Sequence, residues 1–426
     1  MSPTFRSLRI RNYRIYAGGQ LAANVGVWMQ RVAQDWLVLQ LSDGSAVALG
    51  VTVGLQFLPI ALFSLWGGSL ADRFPRRRLL MVTGASMGAL ALLLGVIVLA
   101  GLATVGLVMA MAFLLGVVAA LDSPARQAMV SELVPRGDLH NAVALNSASF
   151  NLGRVLGPAA AGLLVAAVGS GWVFVINASG YVAVVVALSF LRADEMTAPE
   201  PVSREKGMLR EGVRYVSSRP PLVMVMIIAF FVGTFGLNYQ LTMALMTTQE
   251  FGLGPAQFGL ASTVLAVGSL TGSLLAARRG APPLRLVVLS AVFFGLAAIL
   301  ASAMPTYGTF LLALPLVGAG ALTLINAAQS YLQLNSDPQV RGRVMGLYML
   351  VFMGGTPLGS PLVGWVAAAY GPRWSIALGG VVSVVAALGA AWLLMRRDGL
   401  RVRPHLLPHP HFAVIGQPVQ LDGSLP

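Results

Sequence analysis

Arg31 and Asp35 stand four residues apart in "VWMQRVAQDWLVLQ" (27–40), within a long apolar stretch near the N-terminus. At that spacing an acid and a base share one face of a helix. Two chemistries are open to them. Either they neutralise each other as a structural pair, or Asp35 exchanges a proton while Arg31 tunes it. A carboxylate that is wetted, dried, paired and unpaired in turn changes its proton affinity, which suits a machine driven by protons. At about 100° per residue, Gln20, Asn24, Arg31 and Asp35 project within about 60° of one another. Such a stripe faces a bundle interior or a watery cavity, while Leu21, Val25, Met29, Val32 and Leu37 point elsewhere and suit lipid. A further charge, Arg154, lies near the middle of a later apolar stretch and joins Asp35 and Arg31 as a proton-coupling candidate.

The elements that must hold these residues follow from composition. Of 426 residues, 57% are hydrophobic and 10% are charged, against about 25% charged in soluble domains. The bilayer is therefore the solvent. A helix crosses it with about 20 apolar residues, and twelve such runs occur, at about 14–41, 46–70, 79–101, 104–125, 142–168, 172–191, 221–247, 257–277, 286–303, 308–331, 344–370 and 374–395. The chain is expected to be an all-α membrane protein of twelve transmembrane helices in two six-helix, pseudo-symmetric bundles. The one long hydrophilic break, Arg192 to Pro220, separates a first bundle (1–191) from a second (221–395). It reads as a cytoplasmic linker (192–220) with a short amphipathic helix from Met208 to Ser217. Residues 396–426 read as a disordered cytoplasmic tail, whose His405, His409 and His411 have no carboxylate or cysteine partners to make a metal site.

Shifting the sequence by 202 residues aligns Gly153 with Gly355, Gly157 with Gly359, Gly162 with Gly364 and Gly169 with Gly371. Gln127 also meets Gln329, and Trp172 meets Trp374. Glycines held in one register argue for duplicated bundles. Parallel repeats with a site at the midplane are a pattern of secondary transporters.

The net charge of +13 is a topology signal rather than a nucleic-acid footprint. Of 28 Lys and Arg residues, all but Arg31, Arg154 and Arg373 fall on the side of the termini, the even-numbered loops and the linker. That asymmetry marks the cytoplasmic side and puts both termini there. The chain has no cysteine, which excludes disulfides and cysteine-based metal or redox chemistry. No cleavable signal is visible at the start, and no G-x4-G-K-[ST] phosphate loop supports nucleotide-driven pumping. Twenty-seven Arg against one Lys points to a GC-rich bacterium.

The loop between the second and third runs, "GSLADRFPRRR" (68–78), resembles the loop 2–3 signature of the major facilitator superfamily, G-x-L-a-D-R-x-G-R-[KR], with Pro75 at the second glycine. Span count, linker and signature extend the resemblance over nearly the whole chain. It implies a latch that holds the halves together, carried here by Gly68, Asp72, Arg73 and Arg77, with topogenic charge as the plainer use of the same residues. Asp122 and Arg126, again four apart, sit close enough to this loop to serve as a gate or latch. The second-half loop, "GSLLAARRG" (272–280), keeps Gly272 and Arg278 but has Ala276 where the aspartate falls. "NLGRVLGPAAAG" (151–162) resembles the span-5 antiporter motif of the superfamily, G-x3-G-P-x2-G-G, through Gly153, Gly157, Pro158 and Gly162, with Ala161 at its penultimate glycine. Those small residues also suit plain helix packing. Stretches 11–50 and 120–162 are similar to the bacterial exporter branch that includes siderophore-release proteins and multidrug pumps.

A substrate cavity is expected from Gln30, Gln34, Gln56, Asn151, Asn238, Tyr239, Gln240 and Met243, since polar, aromatic and Met side chains together suit amphipathic molecules. The sequence thus leads to a monomeric, cofactor-free and metal-free secondary transporter of the bacterial cytoplasmic (inner) membrane. It is expected to exchange protons for amphipathic small molecules, with the lipid bilayer and no nucleic acid as its surroundings. Nutrient or organic-anion uptake is the alternative, for which Arg154 speaks as an anion contact. A non-transporting membrane sensor would instead lack a cavity and any pH-coupled flux.

Overall fold

The computed structural model describes residues 3–196, 208–277, 282–397, 401–405 and 411–415. Helices α1 (Arg11–Leu41), α2 (Ala46–Arg73), α3 (Arg76–Leu99), α4 (Val105–Leu133), α5 (Leu139–Val168) and α6 (Ser170–Ser189) form the first half. The linker helix α7 (Met208–Ser217) follows, at the bounds expected from the sequence. The second half comprises α8 (Pro220–Phe231), α9 (Tyr239–Leu245), α10 (Pro255–Ala277), α11 (Leu284–Ser302), α12 (Tyr307–Leu334), α13 (Arg341–Gly354), α14 (Thr356–Tyr370) and α15 (Pro372–Arg397).

Local chemistry sets several of these bounds. Ser45 and Thr104 accept from the backbone N–H of Ala48 and Leu107, and Thr306 forms a reciprocal box with Thr309. Each satisfies donors that a helix start leaves open. Gly169 (φ +85) and Gly371 (φ +98), 202 residues apart, turn the chain between α5 and α6 and between α14 and α15, in a backbone region that L side chains rarely enter. In the tail, β1 (Arg401–His405) pairs antiparallel with β2 (His411–Ile415). The stretch expected to be unstructured, 396–426, therefore contains the end of α15 and one backbone ladder, and residues 398–400, 406–410 (His409 among them) and 416–426 lie outside the described residues.

Among the described residues, eleven helical segments are long and apolar enough to cross a membrane. Their outer faces carry apolar stripes at helical spacing: Leu289, Phe293, Leu296 and Leu300 on α11, and Val381, Val385, Leu388 and Trp392 on α15. In a multi-pass membrane protein these meet acyl chains. α1 differs. It is 31 residues long but too polar to count with the eleven on composition. Of the apolar residues expected to face lipid, Leu21 is exposed, but Met29, Val32 and Leu37 are buried, because α2, α4, α5, α6 and α9 pack around the helix. Enclosure by protein removes the cost that lipid would impose on its Gln, Asn, Arg and Asp residues.

The seventh run, expected as one continuous helix, is broken. A π-helical turn (Val232–Gly236) separates α8 from α9, and a second (Met246–Glu250) ends the run. The Thr234 hydroxyl donates to Phe230 O and Asn238 Nδ2 donates to Thr234 O at 2.8 Å. Such side-chain bonds compete with the helical ladder, and π-turns of this kind recur where helices carry function.

The two halves meet along two seams, α2 with α14 and α5 with α10. Both lie at the helix ends remote from the linker. A Cβ on Gly162 would sit 2.6 Å from Pro255 O and 3.0 Å from Gly259 Cα, and one on Gly364 would sit 2.5 Å from Ala46 O and 3.2 Å from Gly50 Cα. The repeat aligned by sequence thus recurs as packing. Gly153 and Gly157 fit against α1 at Asn24 and Trp28, while Gly355 and Gly359 fit against Thr234 at the equivalent place in the second half.

Candidate functional site

α1 carries the charges into the centre of the first half. Asp35 is 3% exposed, and among the described residues no hydrogen bond or ion pair engages its carboxylate. The i,i+4 pairing with Arg31 expected as a structural alternative does not form, although Arg31 remains the charged neighbour that Asp35 senses. Trp28, three residues earlier and on the same helix face, competes for the guanidinium. Arg31 Cζ lies 4.9 Å from the Trp28 ring centroid and 5.4 Å from that of Phe57, within reach of a cation–π attraction.

Arg154 of α5 reaches the same ring, with Cζ at 5.7 Å. Gly157 makes this possible: a Cβ there would sit 2.5 Å from Trp28 Cβ and 2.9 Å from Val25 O. Only glycine lets α1 and α5 approach so closely at the level of Arg154. From the second half, Tyr239 lies within electrostatic reach of Arg154 and stacks edge-on against Phe294. The centre thus holds two guanidiniums, one carboxylate and the rings of Trp28, Phe57, Tyr239 and Phe294, drawn from both halves.

The expected cavity residues divide into groups. Gln30, Arg31 and Gln56 line a recess of about 70 Å³ with Met87, Gly116 and Tyr181, inside the first half. Asn177 of α6 donates to Gln30 there. This space admits a few waters but falls short of the about 300–1,000 Å³ of a drug-sized pocket. Gln34, Asn238 and Met243 are buried, and among the described residues the side-chain carbonyl oxygens of Gln34 and Asn238 have no hydrogen-bond partner. Asn151 donates to Ser147 O on its own helix, and Gln240 is half-buried beside Tyr239.

Nearer the linker side, Asp122 and Arg126 do pair. Thr83 Oγ1 of α3 donates to Asp122 at 2.7 Å, and Arg126 donates to Gln20 Oε1 of α1 at 3.1 Å. Gln20 donates in turn to Tyr16. Three helices are fastened by one buried network. Arg77 caps α6, donating to Leu188 O at 2.8 Å and Ser189 O at 2.7 Å, where a helix end leaves carbonyls open. Arg73 is exposed, and the Asp72 side chain lies outside the described residues. The glycine packed against Ala120 of α4 is Gly67; Gly68, its neighbour in the signature, is half-buried.

A model of the transmembrane secretion effector family matches residues 2–412. The chain belongs to that family. Its relatives include the staphyloferrin A transporter of Staphylococcus aureus, 25% identical over 84% of this chain and 90% of that protein. The multidrug efflux pump Tap of Mycolicibacterium fortuitum is 28% identical over 82% and 88%, and the enterobactin exporter EntS of Shigella flexneri 26% over 89% and 88%. Among solved structures, the chain is similar to a bacterial homologue of the human lysosomal transporter Spinster (TM-score 0.69, 17% identity, 93% and 98% coverage). A D-xylose–proton symporter gives a TM-score of 0.69 at 16% identity, with 89% and 96% coverage. These likenesses fix the fold as that of major facilitator transporters. The protein is a membrane transporter and not an enzyme.

In this transmembrane secretion effector, Trp28 is the residue that reading by charge overlooked. Its signal was present in the i,i+3 spacing from Arg31, which places an aromatic ring on the face of a cation. The Asp122–Arg126 network carries a stability prediction. Asp122→Ala leaves the part-buried Arg126 guanidinium without its acid; breaking a fully buried pair costs about 3–5 kcal/mol, and the cost here is smaller because 21% of the Arg126 side chain is exposed. A clear fall in the melting temperature of the detergent-purified protein is expected; an unchanged melting curve would show that the network is not a fastening.

Proposed function

We propose that this transporter exports amphipathic small molecules in exchange for protons by alternating access. Asp35 is the exchanging group and Arg31 its tuning charge. In this reading α1 completes a set of twelve spans. Residues 1–191 and 221–395 are the two bundles, 192–220 is the cytoplasmic linker and 396–426 the tail. The chain works as a monomer in the bacterial inner membrane with both termini in the cytoplasm. The observation that carries the proposal is Asp35 itself: an acid enclosed by protein, free of any hydrogen bond among the described residues, and one helical turn from Arg31, which lines a recess with room for water.

A proton entering down about 100 mV supplies roughly 2.3 kcal/mol before any pH gradient is added. The glycine seams close the end of the molecule remote from the linker, so the other state of the cycle requires them to part. The small residues of α5 then serve both packing and movement. Relatives named as a multidrug efflux pump and an enterobactin exporter support export as the direction. The test is transport into inverted membrane vesicles across a panel of amphipathic compounds, with proton movement recorded in parallel. Compound accumulation that tracks proton release is expected; accumulation indifferent to collapse of the proton gradient would refute the coupling.

A further inference from the structure

We propose that Arg154, with Trp28 and Tyr239, is the seat for an anionic oxygen group, such as a carboxylate, on the transported molecule. This rests on the transporter reading above and names a substrate class for the same site. The geometry separates the duties of the two guanidiniums that share Trp28. Arg31 lines the first-half recess with Gln30, Gln56 and Tyr181 and is the charge sensed by Asp35. Arg154 has Tyr239 of the other half as its electrostatic neighbour, and among the described residues no hydrogen bond or ion pair engages it.

A half-buried guanidinium with no acid beside it is costly at membrane depth, so an unpaired one calls for an outside partner. Packing does not demand the charge, because Thr356 stands at the equivalent repeat position. Two donors beside Arg154 are likewise unmatched. Among the described residues, Trp28 Nε1 and Tyr239 Oη are buried without a hydrogen-bond partner, and buried orphan donors in a native structure ask for an explanation. An oxyanion answers all three needs: it accepts two bonds from a guanidinium fork and has lone pairs to spare for an indole N–H or a phenol. The aromatic rings of Trp28, Phe150 and Phe294 around it suit the apolar remainder of the same molecule. Because the seat is built from α5, α1 and α9, an anion there bridges the two halves, as a transported ligand must.

The test compares a carboxylate-bearing fluorescent amphipath with its uncharged methyl ester, measuring binding to the full-length protein in phosphatidylcholine. The wild type is expected to prefer the carboxylate by at least tenfold. Arg154→Gln should bring that ratio close to one, and Arg154→Lys should restore part of it. A preference undiminished in Arg154→Gln overturns the proposal. If Arg154→Gln does not fold, Arg154→Lys together with Tyr239→Phe carries the test, each lowering the ratio if the seat is real and neither changing it if it is not. Adding phosphatidylglycerol separates the sources of the anion: competition by this lipid assigns the seat to a headgroup and overturns the substrate assignment. Preference for the carboxylate without any gradient-driven flux would confirm the seat and count against the exporter reading alone.

Discussion

Asp35→Asn is expected to abolish proton-driven export while leaving the protein in the membrane with at least its original stability. The two halves of that expectation come from one fact. Asp35 is 3% exposed and unsupported by hydrogen bonds among the described residues, so its charge is a burden on the fold that only function explains. Asn preserves shape and removes the charge. A structural carboxylate, like Asp122 with Thr83 and Arg126 around it, would lose stability by the same change. For Asp35 the melting temperature should hold or rise, because a carboxylate enclosed without hydrogen bonds among the described residues is expensive even with Arg31 as a charged neighbour. Gradient-driven accumulation in inverted vesicles should drop at least tenfold, to the level of vesicles lacking the protein. Normal efflux by the variant would end the coupling proposal. A loss of both flux and stability would instead make Asp35 a structural residue.

Gly162→Val is expected to damage the seam between the two halves severely. At this position a Cβ meets backbone, with Pro255 O at 2.6 Å and Gly259 Cα at 3.0 Å. Backbone cannot rotate aside as a side chain can, so two added methyls force α5 and α10 apart. The seam is destabilised, and in the alternating-access cycle proposed above transport is expected to slow at least tenfold. The chain contains no cysteine, which makes the opening directly measurable. A single Ala256→Cys, placed at the seam, should react slowly with a membrane-impermeant maleimide in the parent. In the Gly162→Val background it should react several-fold faster. Unaltered labelling and unaltered flux would show that this contact is dispensable.

Much of this was legible before any coordinates. Helix runs, the linker helix and the duplicated glycines follow from hydropathy and spacing, because these features obey simple periods. The interior was less so. An apolar face reads the same whether it will meet lipid or protein, which is why α1 looked half lipid-facing and is in fact surrounded. The break within the seventh run depends on Thr234 and Asn238 bonding backward to carbonyls, a choice that residue type permits but does not compel. Arg31 had two partners at helical spacing, Asp35 ahead and Trp28 behind, and spacing alone does not rank them. The ring prevails in the structure, and Phe57 from another helix adds a second contact that no local pattern announces. Gly67 was hidden by its neighbour, since two consecutive glycines differ by about 100° of rotation and only one can face α4.

The seams carry one more consequence. In α5, Gly162 touches the beginning of α10; in α14, its counterpart Gly364 touches the beginning of α2. Surface A of one half grips surface B of the other, and the same grip is made in reverse. That reciprocity is the arrangement a two-fold homodimer uses, formed here within a single polypeptide. Because the two halves are not identical, each contact can differ from its counterpart, as Arg154 differs from Thr356, and one half can carry a charge while the clasp is kept in both.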